Sequence, residues 1–367
     1  MRAALHALPW LAAVAGYFLL PEQLPLLTAV VIAALFALSL DLVVGYAGIV
    51  TLGHAAFFGT GAYAAGLLAQ AGWGEPITGL LLAAAVAALL GLATAPLVLR
   101  GGDLATLMVT LGLGLMLYEA ANKASDLTGG ADGLQGVEVW PLLGAFRFDL
   151  YGRTAYLYAL AVLFVLFLLA RLIVASPFGL SLRGIRGNAR RAPALGVPVR
   201  GRLTAAYVLA AAYAGVAGAL LAQTTAFVSL DALGFGRSAD GLLMLVLGGL
   251  GSLYGALLGA AAFTLAHHWL SEASPLFWQF WLGIALMALA LGPRGGLLGL
   301  LRAIVRPRRA ARPDAGQMLA DALPPPGHPA MTPRTAGAAL AGTAPVGAVP
   351  TAQTTRPAVA PARDATA

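Results

Sequence analysis

Six arginines and no acid fall within residues 176–202, SPFGLSLRGIRGNARRAPALGVPVRGR, between two long apolar runs. Arg183, Arg186, Arg190, Arg191, Arg200 and Arg202 cannot rest in hydrocarbon, so this stretch is a loop or surface helix at a membrane face. A basic loop beside spanning helices stays on the cytoplasmic side, which orients the chain and offers a docking surface to a cytosolic partner.

The other chemistry-bearing residues are polar groups inside apolar runs. Thr51 and His54 sit in a glycine-rich stretch, and Tyr63 follows them. They are candidate pathway residues, although a glycine-flanked histidine more often makes a packing hydrogen bond. Thr110, Tyr118 and Asn122 stand at i, i+8 and i+12, loosely one helix face, and can line a cavity. Asp41, in LSLDLVV, is an intramembrane acid, a functional candidate by default. Its place near the cytoplasmic end makes hydration the simpler expectation. Asp240, with Ser238, opens a helix, so N-capping competes with a pathway role. His267 and His268 are adjacent and point in different directions, a poor metal pair.

No nucleophile–base constellation, G-x-x-x-x-G-K-[ST] phosphate loop or metal-ligand spacing is present, and there is no cysteine. The chain is therefore expected to be no enzyme, to need no cofactor or metal, and to be unable to hydrolyse ATP itself.

Composition sets the class that must position these groups. Hydrophobic residues make up 60% and charged residues 10%, and the mean hydropathy is +0.84. Soluble domains carry roughly 25% charged residues, so this is an integral membrane protein. The apolar runs are too long and continuous for barrel strands. The 46 glycines, set among alanines, suit helices that pack by close backbone approach. The net charge of +7 follows topology, with anionic lipid and no nucleic acid as its partner.

A spanning helix needs about 20 apolar residues. Runs at 5–20, 24–46, 54–72, 77–99, 104–122, 154–174, 203–224, 238–252, 253–270 and 276–292 satisfy this, with 238–270 alternatively one broken or re-entrant element. The first resembles a signal sequence but lacks a small-x-small cleavage site, so it reads as a short span. The expected fold is all-α: a polytopic helical membrane protein of about ten transmembrane helices with both termini cytoplasmic. Arg2, Arg100 and Arg294 then fall inside, and Glu22, Glu75 and Glu272 outside. Trp269, Trp278 and Trp281 suit the interfacial belt. Residues 123–153 form an ordered external loop. Residues 1–306 make the membrane domain; 307–367 form a Pro/Ala-rich cytoplasmic tail expected to be disordered.

Segment 45–66, GYAGIVTLGHAAFFGTGAYAAG, is dense enough in glycine to imply a helix break, a tight crossing, or both. It resembles the signature of permease subunits of branched-chain amino acid ABC transporters, G-Y-A-G-x-x-S-L-G-H-A-A-F-F-G-x-G-A-Y, with Thr51 where serine is usual. Leu52-Gly53-His54-Ala55 is similar to the M-type subunit of the pair. Thr128 to Leu134 (TGGADGL), Gly215-x-x-Gly218-Ala219-Leu220 and Leu247 to Gly255 (LGGLGSLYG) extend the resemblance over residues 30–300. Asp41 stands where the family usually has asparagine.

The resemblance gives the arginine segment a role. Arg183 to Gly196 is similar to the family's cytoplasmic coupling helix, R-x-I-R-[DE]-N-E-x-A-A-x-A-L-G, which docks on an ATPase. Arg183, Arg186, Asn188, Arg190, Arg191, Leu195 and Gly196 are its matched or basic positions. Ala189 replaces a glutamate, Arg191 an alanine, and Pro193 falls late enough to shorten or kink the helix. The implied partners are two ATP-binding cassette ATPases, a homologous H-type permease, and a periplasmic or secreted binding protein. The implied location is the bacterial inner membrane. Leucine, isoleucine and valine are the implied cargo; urea, short amides or aromatic acids are the family's alternatives. An ion-coupled secondary transporter is the rival class.

Overall fold

The computed structural model describes residues 2–142, 144, 146–149 and 151–273, with scattered positions between 275 and 299 and side chains from Pro9 onward. The expected span 276–292 is described only at scattered positions. Trp278, Arg294 and the tail from 307 lie outside the described residues.

Through Ala273 the described residues form, in order, α1 (Arg2–Leu19), α2 (Leu24–Leu40), α3 (Ala55–Gln70), α4 (Pro76–Val98), α5 (Asp103–Lys123), α6 (Ser125–Thr128), α7 (Arg153–Ala175), α8 (Pro177–Gly187), α9 (Val199–Thr225), α10 (Phe235–Gly248) and α11 (Leu253–Ala273). Among the described residues there are two isolated β-bridges, Leu134 with Val228 and Leu142 with Phe146, and no strand.

The expectation of about ten crossings resolves differently. Among the described residues, five helical stretches are long and apolar enough to span: Pro21–Ala47, Pro76–Val98, Asp103–Lys123, Arg153–Ala175 and Val199–Thr225. α10 and α11 make a sixth only as a single broken element, bent by 116°. α3 has 16 residues, so at 1.5 Å per residue it covers about 24 Å, short of the roughly 30 Å hydrocarbon thickness. α1 is apolar over Pro9–Leu19 only.

α2 runs through the centre of the described structure, with Leu35, Phe36, Ala37, Leu38 and Leu40 almost wholly buried. α9 packs across α3 and α4 through small residues. A Cβ at Gly218 would collide with the Phe58 carbonyl, which explains the Gly215-x-x-Gly218 spacing by close backbone approach. One buried polar brace ties three helices. Tyr158 on α7 donates to Gln223 Oε1 on α9 at 2.8 Å, and Gln223 Nε2 donates to the Pro76 carbonyl of α4 at 2.9 Å.

Candidate functional site

The glycine-rich segment builds both a break and a crossing. α2 continues as a π-helical stretch, Asp41–Ala47, which ends at Gly48 in the left-handed region. Irregular backbone follows to His54, and α3 begins at Ala55. Single π turns inside helices mark functional sites more often than chance. Most of the non-helical stretch is enclosed by protein: Ile49, Thr51, Gly53 and His54 are buried, Gly48 and Val50 are exposed, and a Cβ at Gly53 would meet the Thr110 carbonyl of α5. Irregular backbone at membrane depth is tolerated under that condition.

Each polar residue of the segment has a definite seat. The Gly53 N–H donates to Thr51 Oγ1 at 3.3 Å, and the Leu52 N–H donates to Thr110 Oγ1 at 3.2 Å. Ser39 Oγ lies 2.9 Å from His54 Nε2 and donates its single proton to the Phe36 carbonyl at 2.6 Å. The imidazole must therefore donate from Nε2–H, leaving Nδ1 as a bare acceptor; Nδ1 is buried without a partner. With Phe36 and Phe57 at its faces and edge, His54 is a packed, hydrogen-bonded core residue.

Two positions differ from expectation. Asp41 is completely buried. Its Oδ1 accepts the Gly251 N–H at 2.7 Å instead of facing water. That bond requires Gly251 to turn its amide inward, and Gly249 and Gly251 take φ of +106° and +76° at the bend between α10 and α11. Ser238 does not cap its own helix, which starts earlier, at Phe235. Its hydroxyl accepts the Ala55 N–H at 2.8 Å and so caps the first turn of α3.

The basic segment approaches this break. α8 buries Leu182 and Ile185. Arg186 Nη1 donates to the Gly45 carbonyl inside the π stretch, and the Arg183 guanidinium lies 5.2 Å from the Tyr46 ring centroid. A helix over 183–196 is not what forms. α8 ends at Gly187, Asn188 is extended, and its Oδ1 accepts the N–H groups of Arg190 and Arg191, both at 3.1 Å. Asparagine offers the backbone this alternative to helix continuation. Pro193 then starts a 3-10 turn that closes at Gly196, φ +76°. Arg190, Arg191 and Leu195 are exposed on the resulting knuckle.

The remaining candidates do not gather in one place. Tyr63 is buried, with its hydroxyl unpartnered. Tyr118 and Asp231 are both near enough to act on it electrostatically. Asn122 is half-buried on α5, and Asp240 is half-buried beside Arg237 and His267. The structure thus splits the seven pathway candidates: Thr51, His54 and Thr110 brace the break, Tyr63 and Tyr118 lie near Asp231, Asp240 stands on α10 near Arg237, and Asn122 stands apart on the last turns of α5. Arg237 and Asp231 escaped the sequence reading because the apolar span was drawn from residue 238, just past the arginine.

Comparison with known proteins follows this geometry. The family model described as branched-chain amino acid transport system / permease component matches residues 24–291. The chain is 30% identical over 295 residues to the high-affinity branched-chain amino acid transport system permease protein LivM of Escherichia coli (strain K12), covering 73% of this chain and 68% of the relative. It is 31% identical over 296 residues, with the same coverage, to the protein of that name from Salmonella typhimurium. No solved structure matches. With its long apolar helices, the chain is a multi-pass membrane protein. It belongs to the branched-chain amino acid transport system permease family.

Proposed function

We propose that this chain is the M-type half of a heterodimeric pore in an ATP-driven importer of leucine, isoleucine and valine, with residues 1–306 as its membrane domain. A homologous H-type permease completes the pore, a periplasmic or secreted binding protein delivers cargo, and two ATP-binding cassette ATPases work from the cytoplasm. The bacterial inner membrane is its location, with the N-terminus and the basic segment inside.

The observation that carries this reading is the contact between α8 and the break: Arg186 reaches from the basic segment to the Gly45 carbonyl of the π stretch. A push on the exposed knuckle has a short mechanical path to the broken helices. Arg190, Arg191 and Leu195 form the ATPase-facing surface, Asn188 and Gly196 shape its turn, and Arg183 and Arg186 pass the motion inward. Tyr63, Tyr118, Asn122 and Asp240 border the cargo path, while Thr51, His54 and Thr110 hold its wall.

The test is leucine uptake into proteoliposomes holding both permeases and both ATPases, with binding protein outside and ATP within. ATP-dependent accumulation that Arg190→Glu abolishes supports the reading. Uptake by this chain without ATPases, driven by a proton gradient, contradicts it.

A further inference from the structure

A buried carboxylate oxygen stands without a partner beside an arginine that bonds elsewhere. Asp41 is completely buried, and its Oδ1 is taken by the Gly251 N–H. Among the described residues its Oδ2 has no hydrogen-bond partner. An unanswered acceptor at that depth is costly, the more so when it carries charge. Two arginines of α8 reach the π stretch that Asp41 begins. Arg183 is engaged by the Tyr46 ring. Arg186 donates to the Gly45 carbonyl and forms no ion pair with Asp41.

Asp41 and Arg186 nevertheless share their neighbours. A Cβ at Gly45 would run into the Asp41 carboxyl group, with Cγ at 2.7 Å, and the Gly45 carbonyl is the one that Arg186 holds. A Cβ at Gly251, whose N–H holds Asp41, would lie 3.1 Å from Arg186 Nη1. Farther out the arginine stem lies over Gly48, where a Cβ would be 3.0 Å from its Cγ. Gly48, Gly45 and Gly251 therefore line Arg186 from stem to guanidinium, and none carries a side chain that would block a shift. Arg186 is otherwise exposed, and the bond to Gly45 is the guanidinium's sole hydrogen bond among the described residues.

The two acceptors are unequal. The Gly45 carbonyl belongs to the end of the π stretch, where carbonyls lack helical partners and a cation is favoured, but it is neutral. A carboxylate is the stronger acceptor, because a charge-assisted hydrogen bond is shorter and about twice as strong. We propose that Asp41 is the second seat of Arg186: when the ATPases push on the basic knuckle, the guanidinium passes from the Gly45 carbonyl to the Asp41 carboxylate. The ion pair then latches α8 to both helix breaks at once, since Asp41 already holds Gly251 at the bend between α10 and α11. This latch rests on the importer reading above and adds to it a positioning residue that carries the ATPase stroke across the membrane domain.

The test uses the whole transporter in proteoliposomes with leucine-loaded binding protein, and reads leucine moved per ATP hydrolysed. Asp41→Asn keeps an oxygen for the Gly251 N–H and removes the charge. It is expected to lower the ratio about tenfold, the size of one charge-assisted contact. The melting midpoint of the isolated permease should stay at the wild-type value, which separates the latch from a purely structural role. Arg186→Gln should lower the ratio by a similar factor, and Arg186→Lys should recover part of it by keeping the charge. Combined with Asp41→Asn, Arg186→Lys should recover nothing. A wild-type ratio in Asp41→Asn overturns the latch, because a carboxyl group that stays neutral through the cycle behaves as an amide. If Asp41→Asn fails to assemble, equal ratios for Arg186→Lys and Arg186→Gln overturn it instead. A wild-type complex that moves no leucine on ATP overturns the importer reading itself, before any variant is compared.

Discussion

Asp41 Oδ1 accepts the backbone N–H of Gly251 at 2.7 Å, joining residues 210 positions apart in the chain. One carboxylate thereby fastens the π stretch after α2 to the bend between α10 and α11, the two places where the membrane helices are broken. Arg186 meets the same joint from the basic segment: a Cβ added at Gly251 would lie 3.1 Å from its Nη1 and 3.2 Å from the Gly45 carbonyl oxygen.

The joint predicts a difference between two substitutions. Asp41→Asn keeps an oxygen acceptor for Gly251, as expected from the asparagine usual in the family. Asp41→Leu leaves that N–H unpaired and should cost about 1–3 kcal/mol. Thermal unfolding of the detergent-purified chain checks this. A clear loss for leucine and little for asparagine is expected; equal losses would show that the acceptor is not what matters.

Close backbone contact predicts a sign change between glycines. Gly218→Ala drives a methyl into the Phe58 carbonyl and should destabilise by about 1–3 kcal/mol. Gly112→Ala adds its methyl in open space on α5 and should gain up to about 1 kcal/mol from helix propensity. Unfolding midpoints of the two variants should move in opposite directions, and movement in the same direction would contradict the packing described.

His54 is expected to matter to folding more than to cargo binding. Removing the ring in His54→Ala opens a cavity between Phe36 and Phe57 and should cost about 2–5 kcal/mol. Ser39→Ala removes only its hydrogen-bond partner and should cost about 1 kcal/mol. Leucine uptake by the assembled Ser39→Ala transporter should keep its wild-type KM. A raised KM would place the pair in the cargo path.

The basic segment is predicted to divide into two functions. Arg190→Glu changes an exposed side chain, so ATPase association should weaken with no change in the unfolding midpoint of the isolated permease. Arg186→Glu puts a second carboxylate beside buried Asp41 and should lower that midpoint. Pull-down of the ATPase and thermal melts separate the two effects. Identical behaviour of both variants would contradict the inward seat of Arg186.

Helices whose apolar runs are unbroken were legible to within a residue or two: 77–99 became Pro76–Val98, 104–122 Asp103–Lys123, and 154–174 Arg153–Ala175. Length and hydropathy fix such elements without tertiary help. The break near Gly45, Gly48 and Gly53 was legible as a break, but its π form depends on the meeting of Asp41 with Gly251, which no local pattern encodes. The basic helix was expected to be shortened or kinked at Pro193; it stops earlier, at Asn188, whose side chain caps the following turn instead of extending α8. Arg237 was hidden because a charge at the edge of an apolar run looks like the end of a span.

The basic segment's side of the membrane tests the central claim most directly. The chain has no cysteine, so Ala189→Cys introduces a single thiol at the exposed knuckle. A membrane-impermeant maleimide should label it in inside-out vesicles and not in right-side-out ones, and bound ATPase subunits should protect it. Labelling from the outer face of right-side-out vesicles would place the knuckle beyond reach of any cytoplasmic ATPase and contradict the account.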